Sequence, residues 1–201
     1  MAIHLVHKSD APRVSQGDIF QKITYYERYI EKDRQFELNI LEIPFSIVLT
    51  QDCDLEQNRS ERLRNAALSK QEQDKIKNDK YLISLLCAPL YNYEHLCAGT
   101  HLENLKIKME FYNSAEKKKI TQNNNIRYHY IEFSKDILLP PLVIDFKHYF
   151  TVSLGNLEEQ LTNRIYSIDP LFRESISNRF AHYLSRIGLP DVFEKVKCEN
   201  D

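Results

Sequence analysis

The sequence predicts an α+β fold, in which an antiparallel β core with helical insertions is closed by a C-terminal helix. Three observations favour this class: β-branched apolar runs of strand length such as residues 45–50, a long polar stretch over residues 56–79, and an apolar stripe of helical period after Pro170. With 201 residues, of which 42% are hydrophobic and 28% charged, the chain has the composition of one globular domain.

The first part of the chain predicts a turn followed by strands. Gly17 supplies the turn, because glycine readily adopts a positive φ. Residues 23–30 are aromatic and partly alternating, and the charged residues 31–34 that follow them predict a hairpin-like break. Pro44 divides the next apolar stretch, so the central strand is predicted at residues 45–50.

The middle of the chain predicts two helices around a buried strand. Residues 56–79 have few apolar side chains and predict an exposed helical insert. Residues 81–90 predict a buried strand that ends at Pro89, since proline donates no backbone hydrogen bond. Residues 101–118 predict an amphipathic helix from four apolar residues at helical spacing. These four are Leu102, Leu105, Met109 and Tyr112.

The last part of the chain returns to strands before it ends in helices. Strands are predicted at residues 127–133, 142–146 and 148–154, a short helix at 156–163 and an extended piece at 164–168. We expect all these elements to form a single domain over residues 1–201. Its β core covers residues 14–154, and a helical annex covers residues 156–190.

The final helix has clear start and stop signals. Asp169 is a suitable N-cap and Pro170 suits the first helical position, so the helix is predicted over residues 170–187. Gly188 and Pro190 then provide a typical C-terminal stop.

Composition excludes several classes of function. The net charge of −2 and a pI of about 6.4 give no overall attraction to nucleic acid or to acidic membranes. A glycine-rich phosphate loop is excluded because the four glycines lie far apart in the sequence. No signal-peptide core and no apolar run near the roughly 20 residues of a membrane span are present. We therefore expect a cytoplasmic protein with reduced thiols and no membrane partner.

A thiol lies between two carboxylates where the central strand ends. Cys53 is a conceivable nucleophile, but Asp52 and Asp54 beside it oppose the formation of a thiolate. We therefore assign the two aspartates to orienting a catalytic group, and we assign Thr50, Gln51 and Cys53 to substrate contact. The structural alternative is a small cysteine at a strand end, with aspartates that cap the following turn.

Arg127 and His129 form a second candidate site. The two residues lie two positions apart on a predicted strand, so their side chains point to the same face of the sheet. Arginine binds phosphate with two parallel donors, and histidine serves as an acid or a base near neutral pH. The alternative is an exposed edge strand on which Arg127 pairs with Glu132 or Asp136.

The region from residue 87 to residue 101 contains four residues of the types that bind zinc. Cys87, His95, Cys97 and His101 match no compact zinc motif, and Cys87 lies within an apolar strand. Cys53 would have to complete such a site from elsewhere in the fold. We therefore expect no metal and no cofactor, and zinc-dependent chemistry is the weakest of the hypotheses.

Three short segments occur in an order that is known from one family: Gly17-Asp18-Ile19-Phe20, Ile47-Val48-Leu49-Thr50 and Cys87-Ala88-Pro89-Leu90. This order resembles that of PemK/MazF-like toxins. The resemblance implies an SH3-like barrel or strongly bent sheet, cleavage of RNA, an antitoxin partner and dimerisation. The chain departs from the family at Ile43-Pro44, where the family has an Arg-Pro pair, and only Thr50 matches a position that the family uses near its site.

The resemblance and the Arg-x-His spacing lead to one prediction of function. We predict a toxin-like endoribonuclease that cleaves phosphodiester bonds without a metal. Arg127 would stabilise charge on the phosphate, His129 would transfer the proton, and Asp52 or Asp54 would orient the histidine. The expected partners are RNA, an antitoxin-like or defence-system protein, and a second copy of the chain.

A rival prediction comes from a different class of protein. Here the chain is a non-catalytic module that binds a defence-system or antitoxin-like protein through its barrel face and its last helix. The acidic pI and the incomplete catalytic signature favour it. The last helix has basic residues on its polar side: Arg173, Arg179, His182 and Arg186.

Overall fold

The computed structural model describes residues 6–32, 35–69, 72 and 78–186, and its strands form one antiparallel sheet. Eight strands are described: β1 (Val6–His7), β2 (Asp18–Lys32), β3 (Gln35–Val48), β4 (Ser84–Asn92), β5 (Tyr128–Ile131), β6 (Leu142–Asp145), β7 (Phe150–Ser153) and β8 (Arg164–Ile168). They pair in the order β1-β8-β2-β3-β4-β6-β5, and β7 also pairs with β4. In the described part of the chain the sheet is open, since no ladder joins β1 to β5.

Five α-helices and three 3₁₀ turns surround the described sheet. The helices are α1 (Asp52–Ala66), α2 (Tyr93–Ala98), α3 (Ser114–Thr121), α4 (Leu154–Glu159) and α5 (Pro170–Leu184). The 3₁₀ turns are Glu103–Leu105, Phe146–His148 and Leu161–Asn163. The predicted α+β class, antiparallel sheet and C-terminal helix are confirmed. A closed SH3-like barrel is not, because the sheet is open.

The main core lies between the sheet and α5. Apolar side chains from β2, β3 and β6 are completely buried against the helix, and they include Ile19, Ile47 and Ile144. Ile176 and Phe180 of α5 pack on them from the other side. Each of these side chains stabilises the fold by about 1.5–3 kcal/mol, so α5 is an integral part of the domain.

β2 and β3 extend beyond the sheet as a two-stranded ribbon. β2 pairs with β8 only at Asp18, Ile19 and Phe20, and β3 pairs with β4 only from Ser46 to Val48. Beyond these contacts the two strands pair with each other alone, as far as Lys32 and Gln35. The predicted charged break at residues 31–34 coincides with this end of the ribbon, although residues 33 and 34 lie outside the described chain.

Two prolines lie inside strands where the sequence predicts strand ends. Pro44 lies opposite Lys22, whose φ of 52° interrupts the ladder between β2 and β3, so β3 continues through the proline. Pro89 lies where β4 changes its partner, because β7 pairs with β4 up to Cys87 and β6 pairs from Leu90 onward. At both positions the neighbouring ladder is interrupted, so no backbone N–H is needed as a donor there. Both prolines are therefore tolerated.

The predicted helix over residues 101–118 is wrong. A single 3₁₀ turn follows α2, and Lys106 then adopts a left-handed φ of 59° that a helix does not allow. The helix in this region is α3, which begins after a capping box formed by Asn113 and Glu116.

Other boundaries differ from the predicted ones by a few residues. α1 begins at Asp52, so the predicted polar tip of the strand is the first turn of a helix. β8 joins the sheet between β1 and β2, and the predicted helical annex therefore contributes a strand to the β core. Asp169 and Pro170 begin α5 as predicted, whereas Gly188 and Pro190 lie outside the described residues.

Candidate functional site

A pocket of about 620 Å³ lies beside the base of the ribbon. Its walls come from β2, β3 and β4, from the segment that follows α2, and from the turn before β7. Six of its lining residues have aromatic rings: Tyr25, Tyr91, His95, His101, His148 and Phe150. Pockets of this size that are mostly apolar, with a few polar groups on one wall, are typical sites for small ligands.

A completely buried carboxylate lies behind the polar wall of this pocket and contacts it through His148, which is a lining residue. Asp145 is the last residue of β6, and its side chain is fully shielded from solvent. Arg127 donates from Nε to Oδ1 at 2.8 Å and from Nη2 to Oδ2 at 2.5 Å, which is a bidentate ion pair. Burial alone would lower the pKa of Arg127, but its hydrogen bonds to Asp145 raise that pKa above the ordinary value. Arg127 is therefore charged at neutral pH.

His148 contacts the same carboxylate and also lines the pocket. Its Nδ1 lies 3.1 Å from Oδ2 of Asp145 and 3.1 Å from the hydroxyl of Tyr91. Its Nε2 lies 3.5 Å from Nη2 of Arg127, which can only donate. These contacts fit the tautomer with hydrogen on Nδ1 and a lone pair on Nε2. Burial lowers the pKa of His148 and, together with the nearby Arg127, outweighs the opposing effect of Asp145, so the ring is neutral at pH 7.

A second histidine lies in the same wall. The ring of His101 packs on Tyr91 with 4.6 Å between centroids. Its nitrogens are shielded, and they make no hydrogen bond of normal geometry to a described residue, although the carbonyl of His95 interacts with the ring. Burial lowers the pKa of His101. The wall therefore has two neutral imidazoles, and the ion pair of Arg127 and Asp145 lies directly behind one of them, His148.

The structure places the predicted pair Arg127 and His129 in different surroundings. β5 begins at Tyr128, so Arg127 precedes the strand and reaches the pocket wall through Asp145. His129 is buried at 2% exposure, pairs with Ile144 in the ladder and packs near the ring of Phe146. The alternation of the strand therefore directs His129 into the main core, where a phosphate has no access.

Asp52 belongs to a separate ionic cluster at the start of α1. Arg13 donates to both carboxylate oxygens at 3.1 Å, the amide of Gln16 donates at 3.2 Å, and Arg173 of α5 lies 3.7 Å away. No hydrogen bond or ion pair of the described residues joins Asp52 to Arg127. The predicted orienting role of Asp52 therefore has no contact to support it, and its observed role is to hold the N-terminal segment to α5.

The contacts of Asp52 predict a specific pH dependence of stability. Burial alone would raise its pKa, but the hydrogen bonds from Arg13 and Gln16 outweigh burial and hold the pKa below the ordinary value. The stabilisation is therefore present above about pH 4 and is lost as the pH falls through the lower folded-state value. We expect Asp52→Asn to lose about 1 kcal/mol at pH 7 and to converge with the wild type at low pH in urea unfolding.

The exposed neighbour Asp54 offers a matched control for this experiment. Asp54 lies in the same first turn of α1 but makes no ion pair with a described residue, so Asp54→Asn reports the effect of the helix N-terminus alone and should lose less stability at pH 7 than Asp52→Asn. A difference between Asp52→Asn and the wild type that stays constant from pH 7 to low pH would contradict the assigned ion pair.

The remaining residues of the predicted substrate-binding segment have structural or exposed positions. The Thr50 hydroxyl accepts a hydrogen bond from the Leu86 amide at 2.7 Å, which fixes the end of β3 against β4. Gln51 is the N-cap residue of α1 but makes no side-chain cap. Cys53 and Asp54 are exposed on the first turn of α1, and the Cys53 thiol lies 3.8 Å from the Asp54 carboxylate.

The residues considered as zinc ligands do not converge. Cys87 and Cys97 are buried, and burial raises the pKa of Cys87 to about 12, which opposes the thiolate that zinc requires. His101 packs on Tyr91 instead. Within the described parts of the chain, no group of three or more His, Cys, Asp or Glu side chains is arranged to hold a metal ion.

Arg127 was predicted as a site residue from the sequence, whereas the residues that it contacts were not. Asp145 and His148 directly follow the apolar run of β6, which is the same strand-end pattern that drew attention to Asp52. Tyr91 has no comparable signal, because it alternates with apolar residues of β4.

Comparison with known proteins adds no identification. No family model matches the sequence, and no curated protein matches it. None of the helices in the described chain has both the length and the apolar character needed to cross a membrane. The functional proposal therefore depends on the pocket and its polar wall.

Proposed function

We propose that this protein cleaves RNA without a metal ion, at the polar wall of the pocket. The observation that supports this function best is the position of His148, whose ring contacts the buried carboxylate of Asp145 while Arg127 pairs with that same carboxylate. A histidine oriented by a carboxylate is a general base, and an arginine beside it stabilises phosphate charge.

In the proposed reaction each group has a role that its contacts favour. The Nε2 lone pair of His148 accepts the proton of a ribose 2′-hydroxyl, and the 2′ oxygen then attacks the adjacent phosphorus. The bond from phosphorus to the 5′ oxygen breaks, and the proton held by His148 passes to that oxygen through water. The products are a 2′,3′-cyclic phosphate and a 5′-hydroxyl end.

Arg127 has one donor group left for the phosphate. Its Nε and Nη2 are committed to Asp145, and Nη2 also lies 3.5 Å from Nε2 of His148, a long contact that the 2′-hydroxyl would replace. Nη1 makes no hydrogen bond to a described residue. The side chain is 22% exposed, so Nη1 can reach a non-bridging oxygen. The rings of Tyr25, Tyr91 and Phe150 would pack against the nucleobase, since stacking on aromatic side chains is the usual way in which single-stranded RNA is held.

We also propose that the chain is related to PemK/MazF-like toxins, and one structural observation favours this relationship. The three segments that resemble PemK/MazF-like toxins lie side by side, because Ile19 pairs with Ile47 and Ile47 pairs with Ala88. An SH3-like ancestry of the sheet, a cytoplasmic location and an antitoxin-like partner are proposed on the same basis.

RNA cleavage in EDTA tests the proposed base. We expect His148→Ala to slow cleavage of mixed single-stranded RNA by at least about 100-fold, since a positioned general base contributes 10²–10⁴. The matched control is His182→Ala, which removes an exposed histidine of α5 and should leave the rate unchanged. Cleavage that requires a divalent metal, or a rate unchanged in His148→Ala, would contradict the proposal.

The pH profile of the same reaction provides an independent check. His148 must be neutral to accept a proton, and its pKa is lowered by burial. We therefore expect kcat/KM to rise with pH, with the midpoint of the rise below about pH 6.5, the ordinary histidine pKa. A rise that is centred above that value would assign the base to another group.

A second candidate function is favoured by the far face of the ribbon. Large apolar side chains are exposed there, which is typical of a protein-binding surface. On this view the chain is a non-catalytic module of a toxin–antitoxin or defence system. Absence of RNA cleavage together with specific protein binding through the ribbon would favour it.

A further inference from the structure

One face of the ribbon is apolar and uncovered, and we call it the ribbon face. Its five large apolar side chains are between 50% and 72% exposed. They are Tyr26, Tyr29, Phe36, Leu38 and Ile40. Tyr26 pairs with Ile40 and Tyr29 pairs with Leu38, so these residues form one continuous stripe across both strands.

A β-bulge brings the two tyrosines onto the same side. The register of β2 against β3 shifts between Tyr26 and Arg28, which moves Tyr29 to the face that Tyr26 occupies. On the opposite face, Tyr25 pairs with Leu41, and both residues line the pocket. The ribbon therefore covers the pocket with one face and leaves the other in solvent.

The size of the ribbon face is that of an interface core. Aromatic side chains have roughly 150–250 Å² each, so five large side chains that are at least half exposed present on the order of 500 Å². A standard interface buries about 800 Å² on each partner, and monomers rarely expose a patch this large without a function. An isolated two-stranded ribbon is also only marginally stable in water, and a bound partner would stabilise it.

Charge at the two ends of the stripe selects the kind of partner. By strand alternation Glu42 lies on the ribbon face at its base and Glu31 lies on it near its tip, and both residues are exposed. Between these two carboxylates, the described residues of this face include no lysine or arginine. A second copy packed face to face, with the ribbons antiparallel, would bring glutamates together at both ends, which is unfavourable.

We propose that the ribbon face binds an amphipathic helix of another protein, with apolar residues in its middle and lysine or arginine at both ends. Six residues separate Glu42 from Phe36, a distance of about 20 Å along a strand. A helix covers that distance in about 14 residues, and its width of about 10 Å matches a two-stranded surface. This surface does not depend on the proposed RNA cleavage.

Fluorescence anisotropy with a synthetic probe tests the proposal. The probe is a labelled helical peptide of about 14 residues, with leucines on one face and lysines at both ends. We expect Leu38→Asp to weaken its binding at least tenfold. The matched control is Leu138→Asp, because Leu138 is 95% exposed and lies outside the ribbon. Thermal unfolding of both variants should match that of the wild type, since both side chains are exposed.

Reversing the charges of the two glutamates distinguishes a specific site from non-specific hydrophobic binding. We expect the double variant Glu31→Lys/Glu42→Lys to weaken binding of the lysine-ended peptide and to strengthen binding of a glutamate-ended version. Equal affinity for a peptide with its leucines scattered around the helix, or no effect of charge reversal, would overturn the proposal. Dimerisation in sedimentation equilibrium that Leu38→Asp abolishes would overturn it in favour of a second copy.

Discussion

Arg164→Met is expected to destabilise the fold by about 3–5 kcal/mol, the usual loss when one partner of a buried ion pair is removed. The arginine is 5% exposed and Asp18, its partner, is completely buried. Arg164 also donates to three backbone carbonyls of the N-terminal segment, those of Ser9, Ala11 and Arg13, at 2.7–2.8 Å. Methionine fills a similar volume but leaves the Asp18 carboxylate without its cation and all three carbonyls without a donor.

Urea unfolding followed by circular dichroism measures this loss. The matched control is Arg28→Met, which removes an exposed arginine of the ribbon and should change stability by no more than about 0.5 kcal/mol. The double variant Asp18→Asn/Arg164→Met should recover part of the loss, because it no longer buries an unpaired charge.

The free energy of unfolding of Arg164→Met should depend on pH in a direction that a loss of packing alone would not produce. Burial raises the pKa of Asp18 above its ordinary value, although hydrogen bonds from Ser167, Ser15 and Arg164 oppose that shift. Without Arg164 the pKa rises further. The deficit of the variant relative to the wild type is then smallest below about pH 4, where Asp18 is neutral, and it grows as the pH rises through the raised folded-state value. A loss of stability that is independent of pH would show that the carboxylate is not the cause.

Local sequence signals were enough to predict most of the elements. The β-branched run before Thr50 predicted the end of β3, and Asp169 with Pro170 predicted the start of α5, because these signals act within a few residues. The helix predicted over residues 101–118 failed for the opposite reason. The prediction used only the spacing of apolar residues, and that spacing does not indicate the left-handed turn at Lys106 or the capping box at Asn113.

The candidate site depends on contacts that no local signal specifies. Arg127 reaches Asp145 because β5 and β6 pair with Tyr128 opposite Asp145. That register is set by packing of the two strands on the core, so the sequence around Arg127 contains no information about its partner. His129 shows the same limitation, since the face it occupies depends on where β5 begins.

Asp145→Asn is the substitution with the largest expected effect on the site. Asparagine has the same shape, but it removes the charge that holds Arg127 and replaces one of the two acceptor oxygens with an NH₂ donor, so Arg127 and His148 can no longer both be held. We expect a loss of about 3 kcal/mol in the free energy of unfolding, because Arg127 becomes a partly buried cation without a counter-ion. We also expect RNA cleavage to fall by at least about 100-fold, measured well below the unfolding temperature. Asp136→Asn, at an exposed aspartate, is the matched control.

A compensating variant separates the two effects of this change. Asp145→Asn/Arg127→Gln replaces the ion pair with two neutral amides, so no unpaired charge remains and most of the stability should return. Cleavage should stay at the level of the single variant, since neither the carboxylate that orients His148 nor the cation that contacts the phosphate is restored. Recovery of both stability and cleavage would mean that Asp145 and Arg127 only hold the fold together, and the catalytic group would then have to be sought elsewhere in the pocket.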